Sequence, residues 1–180
     1  MEGFTLLKMF STQLSGLFKR IQDKEEALED SARLLAQAIA GNGKIYLIAA
    51  GEMEGVIYEA LEGPEPLSCA QRWSKKQALT DIAPNDRFLL ISRSAEDPQL
   101  LEFAKKLYDH HIPFAAISTI MSEEEGIHEF ADVHIDLALK KGLLPDVDGN
   151  RFGHPSLIAA LFAYHGIAFT LNEIISELEL

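Results

Sequence analysis

Ser92, Arg93 and Ser94 stand together where the apolar run Phe88–Ile91 stops, and Ala95, Glu96, Asp97 and Pro98 lead from them into an amphipathic segment. Two hydroxyls and a guanidinium beside the start of a helix are groups that hold a small anion, because the first N–H groups of a helix lack internal partners and carry positive partial charge. Two further polar corners follow apolar runs. Gly51-Glu52-Met53-Glu54 comes after Ile45–Ala49, and Ser118-Thr119 closes Ile112–Ile117. Gly51, Glu52, Ser92, Arg93, Ser94, Ser118 and Thr119 are therefore the candidate ligand-binding residues. Glu54 and His154 are the candidate catalytic pair, since a carboxylate and an imidazole are the usual groups for moving a proton between adjacent carbons.

Each assignment has a plainer alternative. Ser92–Pro98 also reads as a capped strand-to-helix corner, with Asp97 as N-cap and Pro98 in the first helical position. Glu52 and Glu54 also read as first-turn carboxylates favoured by the helix dipole. His154 also reads as a loop histidine ahead of Pro155, and Glu59 and Glu62 as a solvated helix face. Asp146–Asn150 resembles a calcium loop, but Leu157 stands where such a loop needs its bidentate glutamate, so a turn is expected. Dinucleotide and Walker spacings are absent, no residue set has metal-ligand spacing, and neither cofactor nor metal is expected.

The elements that would position these corners alternate in type. Leu6, Leu7, Phe10, Leu14, Leu17, Phe18 and Ile21 recur at three- and four-residue intervals, and Leu28, Leu34, Leu35, Ala38 and Ile39 resume the pattern after a polar stretch. This predicts helix over about 5–40 with a bend, stopped by Gly41-Asn42-Gly43. Strands are expected at Ile45–Ala49, around Leu67–Ala70, at Arg87–Ser92, after Pro113 and at "DVHIDLAL". Helices are expected at about 54–61, from Pro98 to about 110, briefly in "SEEEGIHEFA", and over the closing stretch from Pro155, with a break at Gly166. Residues 140–155 read as loop. Continuously apolar strands alternating with helices imply a three-layer α/β/α sandwich on a parallel sheet of about five strands, with ligands at the carboxyl ends of the strands.

The bulk properties narrow the functional classes. The 180 residues fit one domain, 1–180, and 47% apolar with 24% charged residues is the balance of a soluble globular protein. Sixteen basic against 28 acidic residues give a net charge of −12, which disfavours nucleic acid and anionic membranes as partners. No stretch reads as a membrane span or secretory signal. Cys69 is the only cysteine, so no intrachain disulfide can form, and a cytoplasmic location is expected.

With those corners in place, the chain resembles the SIS (sugar isomerase) family of phosphosugar-binding domains. That family shows a strand, Ser-x-Ser-Gly-x-Ser/Thr, a helix, and a strand ending in Thr; "LLISRSAEDPQLLEFAKKLYDHHIPFAAIST" follows the plan, and the order of elements follows it over nearly the whole chain. The resemblance is strongest to a small bacterial branch labelled phosphoheptose isomerase-like. It implies a phosphosugar or related metabolite as ligand, aldose–ketose isomerisation as the alternative activity, and a homodimer. It also marks departures. Ala95 replaces the glycine, Asp97 the last hydroxyl, and Met53 or Glu54 the serine of the first loop. These changes suggest a third reading, a partner-binding protein with a degenerate ligand site.

Overall fold

The computed structural model describes residues 3–74 and 76–178. Helices α1 (Gly3–Gln22) and α2 (Glu25–Ala40) precede β1 (Ile45–Ala49), α3 (Glu54–Glu62), β2 (Ala70–Arg72), β3 (Arg87–Ser94), α4 (Pro98–Asp109), β4 (Phe114–Thr119) and β5 (Val133–Asp136). A short antiparallel pair, β6 (Leu144–Pro145) and β7 (Arg151–Phe152), leads to the terminal helix α5 (Ser156–Leu178).

Five strands form one parallel sheet in the order β2-β1-β3-β4-β5. The chain first moves outward from β1 to β2, then returns past β1 and moves the other way. The direction of winding therefore reverses between β1 and β3, whose last paired residues are Ala49 and Ile91. Loops leaving two such strands diverge to opposite faces and open a crevice at their carboxyl ends.

Strand periodicity divides the core. Leu47, Leu89, Ile91, Ala115, Ile117 and Ile135 face one side and join Leu17, Leu35, Ile57, Ala160 and Ile167 from α1, α2, α3 and α5. Tyr46, Phe88, Leu90, Phe114 and Ala116 face the other and meet Leu100, Ala104 and Leu107 of α4 together with Trp73. Burial on both faces explains why the strands are apolar throughout instead of alternating. Gly43 lets the α2–β1 turn pass under Asn85, since a Cβ there would stand 2.4 Å from the Asn85 carbonyl oxygen.

Four expectations shift. The second strand lies at Ala70–Arg72, because Leu67–Cys69 forms a turn in which Cys69 adopts φ 51°. "SEEEGIHEFA" yields only a 3-10 turn at Ile127–Glu129. The 140–155 loop contains the β6–β7 pair, held by Arg151, whose Nε and Nη2 donate to the carbonyls of Gly142 and Leu143 at 2.9 and 2.8 Å. Helix α5 runs unbroken through Gly166, where the absent side chain admits Leu28 of α2; a Cβ there would lie 3.3 Å from Leu28 Cδ2. By length and composition α5 could also cross a membrane, yet Ala159, Ala163, Ile167 and Leu171 of this helix are buried in the main core. At Asp146–Asn150 the Asp146 carboxylate accepts from the N–H groups of Asp148 and Asn150, which makes the segment a side-chain-closed turn.

Candidate functional site

The crevice between β1 and β3 is built by two corners. Gly51 (φ +57°) ends β1 and opens a 3-10 turn, Gly51–Met53, which buries Met53 and sends Glu52 outward. Across it, β3 ends in Ser92-Arg93-Ser94 and the chain turns into α4. Ala50, Gly51, Glu52, Arg93, Ser94, Glu96, Asp97 and Pro98 line a cleft of about 400 Å³.

Hydrogen bonds account for most of the polar groups around it. Asp97 caps α4, its Oδ1 accepting from the N–H groups of Gln99 and Leu100 at 3.1 and 3.0 Å, with Pro98 in the first turn. Glu96 reaches the loop after β4 and accepts from the N–H groups of Met121 and Ser122, each at 3.0 Å, and from the Ser94 hydroxyl. Partial burial disfavours the Glu96 charge, but these hydrogen bonds together outweigh it and hold the carboxyl below its ordinary range. Ser92, almost fully buried, donates to the Ser94 carbonyl at 2.6 Å. Arg93 donates from Nε and Nη2 to Glu52 Oε1 at 2.8 and 2.6 Å, an exposed pair bridging the two corners. At Glu52 burial again works against the charge, and the Arg93 contact, with a backbone hydrogen bond, keeps its carboxyl low.

Ser118 and Thr119, at the end of β4, do not line the cleft. Ser118 is fully buried and shares a hydrogen bond of 2.7 Å with His134 Nε2. Thr119 is 2% exposed, and its carbonyl accepts from Ala95 N–H, tying the β3 corner to β4.

Residues 6–175 match the family described as "Domain of unknown function (DUF2529)". The chain belongs to that family. It is 43% identical over 173 residues to the Uncharacterized protein YwjG of Bacillus subtilis (strain 168), spanning 96% of this chain and 99% of that one. Among solved structures it resembles the Vibrio vulnificus NanR protein complexed with ManNAc-6P, at TM-score 0.69 and 11% identity over 97% of this chain and 64% of that one. It also resembles a phosphoheptose isomerase from Francisella tularensis, at TM-score 0.61 and 10% identity over 96% of this chain and 100% of that one. At such identities the likeness is one of fold, and that fold is the SIS architecture: a five-stranded parallel sheet between helical layers.

The family's fold brings Gly51, Glu52, Arg93 and Ser94 to one cleft and leaves the two catalytic candidates elsewhere. Glu54 forms an ion pair with Arg72, whose guanidinium also lies over the Tyr58 ring at 5.3 Å. That pair borders a second cavity of about 660 Å³ between the β1–β2 edge and α4, with Ile48, Trp73, Leu79 and Phe103 among its apolar walls. Ala50 borders both spaces. His154 is exposed ahead of α5 and lines neither. Glu59 faces His165 at 3.8 Å, and Glu62 is exposed. Two features escape the sequence reading. Glu96 carries no motif signal beyond standing two residues after Ser94 in a tight turn. The Trp73–Phe103 cavity joins residues thirty positions apart and has no local pattern.

Proposed function

We propose that this chain is a metabolite-binding module of the SIS fold, taking a phosphosugar or related sugar-derived ligand at the crevice between the Gly51 turn and the Ser92–Asp97 corner. The observation that carries the reading is the position of that cleft: it opens where the winding of the sheet reverses, between the carboxyl ends of β1 and β3. Arg93 lines it with a guanidinium in an exposed pair with Glu52, and Ser94 lines it too. The complex of NanR with ManNAc-6P supports a ligand of this class, as does the likeness to a phosphoheptose isomerase. Binding without turnover is favoured over isomerisation, because Glu54 is engaged by Arg72 at the other cavity and His154 stands apart from both. The module is a single domain, 1–180, working in the cytoplasm as a homodimer. Phe4 and Leu7 on α1 and Ile158 and Phe169 on α5 are the exposed apolar side chains that a second copy would cover.

A thermal-shift screen against sugars, their phosphates and free phosphate tests the reading. A ligand at a hundred times its dissociation constant stabilises the fold by about 2.7 kcal/mol, several degrees in Tm. Glu54→Gln and His154→Ala are expected to leave that shift in place. Aldose–ketose turnover that disappears in either variant would restore the isomerase; no shift with any sugar would end the ligand-site reading.

A further inference from the structure

We infer that the cleft selects an unphosphorylated, hydrogen-bond-donating sugar (a polyol or amino sugar) and that Asp97 is the residue that turns phosphate away. The inference rests on the reading of this cleft as the ligand site. It follows from where each donor goes. The free N–H groups of the α4 N-terminus that Asp97 caps are those of Gln99 and Leu100. The next pair of backbone donors, Met121 and Ser122, is held by Glu96, which also holds the Ser94 hydroxyl. The Ser92 hydroxyl donates to a carbonyl, and Arg93 pairs with Glu52 through Nε and Nη2. Among the described residues, an entering anion would therefore meet three carboxylates and a guanidinium already paired with one of them.

Glu96 is engaged through both oxygens and Glu52 through Oε1, so Glu52 Oε2 and Asp97 Oδ2 are the carboxylate oxygens that remain, among the described residues, to recognise a ligand. Among the described residues, Glu52, Glu96 and Asp97 line the cleft together with the guanidinium of Arg93. Only Oδ1 of Asp97 serves the cap, leaving Oδ2 as an acceptor. Ionised carboxylates accept and do not donate, so they complement hydroxyl and ammonium groups and repel a phosphate dianion. Hydroxyls can also exchange with the Arg93–Glu52 pair, which is solvent-exposed and weakly held.

The test is a set of paired titrations of the full chain: glucosamine against glucosamine 6-phosphate, fructose against fructose 6-phosphate, and inorganic phosphate alone. The unphosphorylated member of a binding pair is expected to bind at least tenfold more tightly, with no response to inorganic phosphate. Asp97→Ser keeps a capping hydroxyl and Asp97→Asn keeps shape and cap, so both variants retain the fold. Each is expected to gain at least tenfold in affinity for inorganic phosphate and to narrow the preference within the pair. Tighter binding of the phosphorylated member by the wild-type chain would overturn the inference while upholding the cleft as a ligand site. An unchanged preference in both Asp97 variants would overturn the role of Asp97. A wild-type chain that binds neither member of any pair overturns the ligand-site reading and this inference with it.

Discussion

Phe88→Ala is expected to destabilise the fold by about 3–5 kcal/mol, the usual cost of emptying a fully buried phenylalanine site. Phe88 has no exposed surface and stands on the α4 face of the central strand, in the middle of an aromatic group. Its ring lies 5.0 Å from Tyr46, 5.1 Å from Trp73 and 5.7 Å from Phe103. Such pairs add to simple area burial. Removing the ring leaves a void on the strand that ends in Ser92–Ser94, within the close-packed cluster that also holds Leu90 and Phe114. Urea unfolding measures the loss as a lower midpoint at unchanged slope. Trp73 is the only tryptophan, so its fluorescence follows the same group directly. Phe88→Leu, which keeps most of the volume, should cost much less. A Phe88→Ala loss below about 1 kcal/mol would mean that the α4 layer repacks freely and does not hold the β3 corner rigid.

The dependence of the site on that layer explains what was legible in the sequence. Ile45–Ala49 and Phe88–Ile91 announce buried strands because two-sided burial leaves no polar position in them, and that pattern is local. The start of α4 was equally legible, since Asp97 followed by Pro98 is a cap signature with a short-range cause. Three residues at β2 and two each at β6 and β7 carry no such periodicity. β2 is placed by pairing with β1, and the β6–β7 pair is clamped by Arg151, so tertiary partners decide both. In the site, the placing of Gly51, Arg93 and Ser94 at strand ends followed from the fold class. The partner of each side chain did not. Glu52 meets Arg93 from 41 positions away, and Glu96 meets Ser122 from 26. Neither pairing exists until β1, β3 and β4 lie side by side.

The hydrogen bond between β4 and β5 at Ser118 and His134 gives the second large effect, a loss of stability on mild acidification. His134 lies on β5 with its Nε2 against the buried Ser118 hydroxyl and its ring 5.7 Å from that of His128. Burial pushes its pKa down to about 4; the carboxylates of Asp136 and Glu96 oppose the shift, and the neighbouring His128 and Lys24 add to it. The unfolded chain binds a proton at this residue near pH 6.5, which the folded chain refuses until about pH 4. Stability from His134 is therefore complete above pH 6.5, falls as the pH drops toward 4, and levels off below that. At about 1.4 kcal/mol per unit the whole window is worth about 3 kcal/mol, and the part between pH 6.5 and 5 about 2 kcal/mol. Glu52 and Glu96, both held below their ordinary range, lose their contributions as the pH falls further, below about 4.5, so the upper part of the window belongs to the histidine. Unfolding free energies of the wild-type chain and His134→Asn at pH 7, 6 and 5 separate this residue from every other titrating group. The difference between the two proteins should shrink steadily as the pH falls, because only the wild-type chain loses this contribution. A constant difference across that range would place the His134 proton affinity near its unfolded value and the Ser118 contact in a wetter setting than the sheet implies.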